Sequence, residues 1–346
     1  MSLSNALLTG DLNQLPGRRD EDWRWTDLRG VIKTAPPRSP IDDRVLAAGP
    51  FGSLEGQEIL IINGQSSAGL ELVIAPDTRQ VVRLRLVSTT DGTSHTVAFK
   101  VKLGAGAELV LLESHEGLAD GYISSVDLDF DLAEGGRLER IVIADDGAHA
   151  ISVNRSHVVM GPKSSFSQSV LTRGARRQRI ETVLVHPGAE AQVEMNGVYL
   201  LDGQRHADIT TSVEHAGPGG VTRQLTKGVV RDQSRGVFQG RILVDAGADQ
   251  TEAKMGHHAL ILSDRAEVDA RPELLIHADD VQCAHGNTIG ALDEEALFYM
   301  CQRGLPEEEA RSLLIAAFVD EVVCLIRDSA AQDCTRTWIS DARGRT

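Results

Sequence analysis

The residues best suited to metal or nucleophilic chemistry in this chain are its histidines and cysteines, and their spacing is informative in one place. His277-Ala278-Asp279-Asp280-Val281-Gln282-Cys283-Ala284-His285-Gly286 sets a thiol and an imidazole two residues apart. On a strand, Cys283 and His285 point the same way. A thiolate and an imidazole on one face suit a soft or borderline metal such as iron or zinc. Two ligands do not make a site, so the others must come from elsewhere or from another chain. A small buried cysteine beside a hydrogen-bonded histidine would leave the same pattern without any metal. His257-His258 are strand neighbours that point to opposite faces, which makes them structural rather than joint ligands. His206 and His215 have no partner pattern. Cys301 and Cys324 lie among apolar neighbours in helical segments and read as core residues. Cys334 falls in a polar tail of about twenty residues that is expected to fray.

Recognisable catalytic motifs are missing. The chain has no Gly-x-x-x-x-Gly-Lys-Ser/Thr loop, so it carries no ATPase of its own, and no Gly-x-Ser-x-Gly, His-Glu-x-x-His or dinucleotide fingerprint. Catalysis by a recognisable motif is therefore unsupported. The net charge of −15, from 35 basic and 50 acidic residues, opposes a phosphate-binding surface. The one dense basic run, Arg173 to Arg179, reads as a solvated face or a salt-bridged edge, and nucleic acid is not expected as a partner. No stretch of about 18 apolar residues is present to span a membrane. Met1 to Gly10 lacks the basic start and apolar region of a secretory signal. Four cysteines without a Cys-x-x-Cys pair fit a cytoplasmic protein with reduced thiols.

These residues must be positioned by a mainly β body. In Val126-Asp127-Leu128-Asp129-Phe130-Asp131-Leu132 every second residue is apolar and every other one is Asp. Val97, Phe99, Val101 and Leu103 alternate with Lys100 and Lys102 in the same way, as strands with one buried face require. Small-residue turns begin at Gly104, Gly135, Gly161, Pro187, Gly217 and Gly247, at intervals of 26 to 31 residues. A near-regular interval over some 150 residues predicts stacked repeats of two or more strands each. Aromatic residues are only 4% of the chain, whereas Gly numbers 33. A thin interior of Val, Ile, Leu and Ala favours a right-handed parallel β-helix over a β-sandwich or barrel. The predicted organisation is a helical or irregular segment over 1–55, the β-helix over 56–290 and a helical segment over 291–346.

In that last segment, Asp293 to Gly304 predicts a helix with acidic residues in its first turn and a glycine stop. Pro306-Glu307-Glu308-Glu309 starts a second helix. Leu313, Leu314, Ala317, Phe318, Val322, Leu325 and Ile326 then follow at helical spacing as one wide apolar stripe. The residues alone favour packing of this stripe over the open end of the strand stack, as a cap. A docking surface for a partner would show the same stripe. Near the N-terminus, two of the three tryptophans sit in Arg18-Arg19-Asp20-Glu21-Asp22-Trp23-Arg24-Trp25-Thr26-Asp27-Leu28, which reads as a short helix or turn pinned to the body by its indoles.

Taken together, these segments resemble a known family. His277 to Gly286, Gly290, Leu297-Phe298-Tyr299 and Arg303-Gly304 resemble the C-terminal signature of the SufB/SufD proteins of iron–sulfur cluster assembly, and Arg235-Gly236-Val237-Phe238-Gln239-Gly240-Arg241-Ile242 is similar to the family's preceding strand. Arg19 to Leu28 is similar to the SufD side of the family. The resemblance implies a right-handed parallel β-helix flanked by helices, acting as a non-catalytic scaffold subunit. It implies pairing with a SufB-like subunit through the end of the β-helix, and docking of a SufC-like ATPase through the C-terminal helices. The family's interface histidine falls on His285, and a cysteine two residues earlier matches Cys283. A transient iron–sulfur cluster would form at that interface, with no cofactor held tightly by the isolated chain. Leu313, Leu314, Ala317 and Phe318 become candidate ATPase contacts. Self-pairing of the isolated chain through the exposed end is also expected.

Two other readings of the residues compete. Cys283 and His285 could serve a stand-alone metal-binding β-helix protein. A polysaccharide-active β-helix enzyme would need a groove lined by Lys, Arg and calcium-binding carboxylates, which one arginine run in an acidic chain does not supply.

Overall fold

The computed structural model describes residues 2–66 and 69–344. Seventeen strands follow one another along the chain. They are β1 (Gln57–Ile62), β2 (Glu71–Ile74), β3 (Arg79–Ser88), β4 (Ser94–Leu103), β5 (Glu108–Gly117), β6 (Ile123–Leu132), β7 (Arg137–Asp145), β8 (Ile151–Met160) and β9 (Ser165–Thr172). They continue as β10 (Arg177–His186), β11 (Gln192–Leu201), β12 (His206–His215), β13 (Val221–Val230), β14 (Arg235–Val244), β15 (Thr251–Ile261), β16 (Glu267–Ile276) and β17 (Val281–Gly290). Odd-numbered strands form one parallel sheet of nine, even-numbered strands a second of eight. The chain therefore alternates between two facing sheets, two strands to a coil, in a β-solenoid of about eight turns.

The register gives the repeat. Val82, Leu111, Arg140, Gln168, Met195, Gln224, Met255 and His285 stand beside one another on successive odd strands. Their spacing, 27 to 31 residues, matches the turn interval in the sequence. Alternation decides which residues enter the interior. On β6, Val126, Leu128, Phe130 and Leu132 are buried in the core while Asp129 and Asp131 face water. The corners stack as well: Gly106 and Gly135 take the left-handed conformation (φ 65° and 67°) that glycine adopts without strain. Each donates its N–H to the carbonyl of the next coil's corner, Glu134 and Pro162.

The helices do not cap the stack. α1 (Leu3–Thr9) and α2 (Leu28–Val31) precede the strands, and α3 (Glu294–Gln302), α4 (Glu307–Val323) and α5 (Ser329–Gly344) follow them. Val319, Val322, Val323, Ile326, Trp338 and Ile339 pack on Val110, Leu112, Ile141, Ile143, Leu171 and Val198. Those strand residues lie on the outer face of the odd sheet, so the expected cap is corrected to a lateral layer. The outward positions of the middle strands are themselves apolar, and burying them outweighs covering the end. The fraying tail is corrected too. Residues 329–344 form α5, because Trp338 and Ile339 supply an inward apolar edge in an otherwise polar segment. Cys324 is exposed just beyond α4 and Cys301 is half-buried, so neither is a core residue. No helix among the described residues is long and apolar enough to cross a membrane.

Candidate functional site at the open last coil

β16 and β17 each have a strand on one flank only. At the opposite end of the stack, the inward residues Ile59, Ile61, Leu72 and Ile74 are buried. On β16 and β17 the equivalent positions are not. Ile276 and Ile289 are each 42% exposed. The C-terminal end of the solenoid is thus an open mouth whose walls are interior-type residues without a following coil.

Cys283 and His285 both line this mouth. Cys283 is in register with buried Ala253, and His285 with buried Met255. In-register parallel strands point equivalent side chains the same way, so both face inward. Cys283 is half-buried against the cluster of Phe238, Ala253 and Met255, and burial pushes its thiol above the ordinary value. It is therefore a protonated, passive ligand candidate rather than an activated nucleophile. His285 is exposed. Among the described residues, no group of three His, Cys, Asp or Glu side chains could hold a metal ion. A metal bound at Cys283 and His285 would need ligands from another molecule.

The neighbouring histidines separate as alternation requires. His257 on β15 is fully buried and faces inward, whereas His258 faces outward and contacts Thr288 at 2.7 Å. Within the interior, His257 bridges Tyr199 of an earlier coil (2.9 Å) and Asn287 of β17 at the open end (2.7 Å). Asn287 was not singled out by the sequence. Its signal is the 30-residue offset from His257, one coil length.

Two of the four arginines of the run, Arg173 and Arg179, are braces rather than a solvated face. Arg179 is fully buried against Asp208 (3.0 Å) and Glu181 (2.9 Å), with its guanidinium 4.3 Å from the centre of the Trp23 ring. Arg173 pairs with Asp145 and Asp202. The salt-bridged alternative holds for both, and these cations are not presented to a ligand. The same arrangement seats the N-terminal tryptophan motif: Thr26 Oγ1 donates to Asp208, and Glu21 pairs with Arg271 of β16. The motif is thereby strapped across the outer face of the even sheet as far as the last coil.

Of the four helical candidates, Leu313 (46%) and Ala317 are exposed, while Leu314 and Phe318 are half-buried. Phe318 lies under Lys227, whose ammonium is 4.3 Å from the ring centre. Phe298 (66%) and Tyr299 (59%) on α3 add to the exposed apolar surface beside α4.

A family model described as the SufBD core domain of SUF-system FeS cluster assembly matches residues 86–318. The chain belongs to the SufB/SufD family. Among its curated relatives, the iron–sulfur cluster assembly protein SufD of Escherichia coli is 28% identical over 94% of this chain and 88% of its own length. A SufBD family protein of Mycobacterium tuberculosis is 25% identical over 91% of this chain and 86% of its own. A Synechocystis SufBD family protein is 29% identical over 63% of this chain and 48% of its own. The SufBD match takes in the whole last coil, α3 and the exposed apolar part of α4. The chain is a SufD-like member of an iron–sulfur cluster assembly family, and its fold is the solenoid that the resemblance implied.

Proposed function

We propose that this chain is a non-catalytic scaffold subunit of an iron–sulfur cluster assembly complex in the cytoplasm. Its open last coil pairs with a SufB-like subunit, and Cys283 and His285 contribute to holding a nascent cluster as cargo between the two. One observation supports this above the others: the inward positions of β16 and β17 are half-buried or exposed, with Ile276 and Ile289 each 42% exposed, whereas Val244 and Ala259 in register with them on the coil before are buried. A second chain that continues the stack would bury Ile276 and Ile289 and add the ligands that Cys283 and His285 lack. The isolated chain, lacking that partner, pairs with itself through the same end. The surface of Leu313, Leu314, Ala317 and Phe318, widened by Phe298 and Tyr299, docks a SufC-like ATPase.

Reconstitution of the three subunits tests this. His285→Ala is expected to assemble the complex but carry less iron and sulfide, and Leu313→Asp to release the ATPase while the SufB-like subunit stays bound. Full cluster loading with His285→Ala and Cys283→Ser combined would remove both residues from the mechanism. Failure of the chain to bind a SufB-like subunit would sink the scaffold reading.

A further inference from the structure

The mouth contains a third polar side chain held in one orientation by the interior of the solenoid. Asn287 follows His285 by two residues on β17 and is in register with His257, so it faces the same way as Cys283 and His285. Its Oδ1 lies 2.7 Å from His257 Nδ1. An amide oxygen can only accept, so Nδ1 must carry the proton. The other ring nitrogen, Nε2, is then the acceptor for the Tyr199 hydroxyl at 2.9 Å. Burial lowers the His257 pKa to about 4, which keeps the ring neutral and consistent with this tautomer.

This train has little freedom. The His257 ring stacks on Phe238 with centroids 4.7 Å apart and planes within 1°. Tyr199 fills space that only glycine leaves open: a methyl at Gly228 would sit 1.9 Å from its ring, and one at Gly236 2.4 Å. With Oδ1 fixed on His257, the amide nitrogen of Asn287 points away from that bond. Among the described residues Nδ2 has no hydrogen-bond partner, and Asn287 is exposed. Two N–H donors are therefore available to a group outside the chain, beside the cysteine and the histidine.

We infer that Asn287 is a third binding residue of the mouth, donating an amide N–H to a sulfide of the iron–sulfur cluster, and that His257 and Tyr199 are the positioning residues that aim it. Sulfide and thiolate sulfurs around iron are anionic acceptors, and hydrogen bonds to them stabilise the cluster and raise its reduction potential. Cys283 and His285 offer ligands but no fixed donor of this kind. The inference rests on the scaffold reading above, and its test separates the two.

The experiment measures iron and acid-labile sulfide per purified complex of this chain with a SufB-like subunit and the ATPase, together with the cluster's reduction potential. Asn287→Asp keeps the acceptor for His257 but replaces the donor with negative charge. It is expected to retain about tenfold less cluster, and Asn287→Ala about fivefold less, in line with the loss of a charge-assisted hydrogen bond. Tyr199→Phe is expected to lower the reduction potential of the cluster that remains, a readout that a purely structural role would not move. Asn287→Gln, which keeps an amide donor, is expected to restore part of the retention. Unchanged retention and potential in both Asn287→Asp and Asn287→Ala, with a loaded wild-type complex, would overturn this inference alone. A wild-type complex that holds no cluster would overturn the scaffold reading and this inference with it.

Discussion

The interior of the solenoid contains a full ion pair, and the cost of breaking it can be worked from its geometry. Arg140 and Glu113 have no exposed side-chain surface and meet in a bidentate pair, with Nε 2.8 Å from Oε2 and Nη2 2.8 Å from Oε1. His115 lies 2.6 Å from the same carboxylate, and Arg140 also donates to Gln168 at 2.7 Å. Glu113→Met would leave a buried guanidinium without its counter-ion, at about 3–5 kcal/mol. Arg140→Met is expected to cost a similar amount. The double variant removes both charges. Its remaining penalty is the orphaned His115, about 1–3 kcal/mol, since Gln168 Oε1 keeps Thr182 at 3.1 Å. The double variant should therefore be more stable than either single one, with a coupling energy of roughly 4 kcal/mol or more. Burial alone would raise the Glu113 carboxyl, but Arg140 and His115 together outweigh it and hold the pKa at about 2. A carboxylate depressed from 4.5 to about 2 contributes about 3 kcal/mol above pH 4.5 and loses it as the pH falls towards 2. Urea unfolding of the four proteins at pH 7, repeated at pH 3, measures both effects. A double variant as unstable as the sum of the singles, or a wild-type acid loss equal to that of the double, would refute the reasoning.

Three buried histidines predict a second acid dependence. Burial lowers His206 and His257 to about 4 and His215 to about 3, from 6.5. Between those values the unfolded chain binds more protons than the folded one, so the thermal midpoint should be highest above pH 6.5 and fall steadily towards pH 4; His206→Gln should flatten part of that slope, and a flat profile in the wild type would count against it. At the N-terminal strap, Trp23→Ala uncovers Arg179 and removes a cation–π contact of about 1–2 kcal/mol. Trypsin should then cleave at Arg18 and Arg19 several times faster, and an unchanged cleavage rate would show that Asp208 and Thr26 suffice to hold the strap.

The strand body was legible because two periods are written in the sequence at once. The alternation in Val126 to Leu132 fixes which side chains face inward, and the 26 to 31 residue turn interval fixes the coil. What the alternation concealed is that buried does not mean apolar. Glu113 and Arg140, inside the solenoid, stand 27 residues apart, and Arg179 and Asp208, on the outer face under the N-terminal strap, 29 apart, close to one coil length, so each pair belongs to adjacent coils. A lone arginine run looks like surface until it is laid beside the acids one repeat away. Cys283 and His285 were visible as a pair because they are two residues apart on one strand. Asn287 was not, because its meaning depends on His257 in the coil before it. The position of the C-terminal helices had no local signal. α4 carries apolar residues on nearly every side, so its sequence does not say whether Leu313 or Val319 turns inward. That is settled by the apolar outer face of the odd sheet, which only the fold assembles.

The open end is also built to limit what may be added to it. A solenoid whose last coil exposes interior residues invites another coil, and two such ends of the same chain could pair without restraint. On β16, Glu267 N–H donates to Ser234 and the residue after the strand, His277, donates to Val244. Odd-numbered positions therefore turn their N–H groups toward β14, and even-numbered positions turn theirs to the free edge. Pro272 occupies one of those even positions, near the middle of the strand, and has no N–H to give. On β17, the last strand of the odd sheet, no proline interrupts the free edge. The even edge is thus interrupted while the odd edge, which carries Cys283, His285 and Asn287, stays available for pairing. A strand added at this end would meet a proline on the even sheet and none on the odd sheet, the one whose last strand carries Cys283, His285 and Asn287.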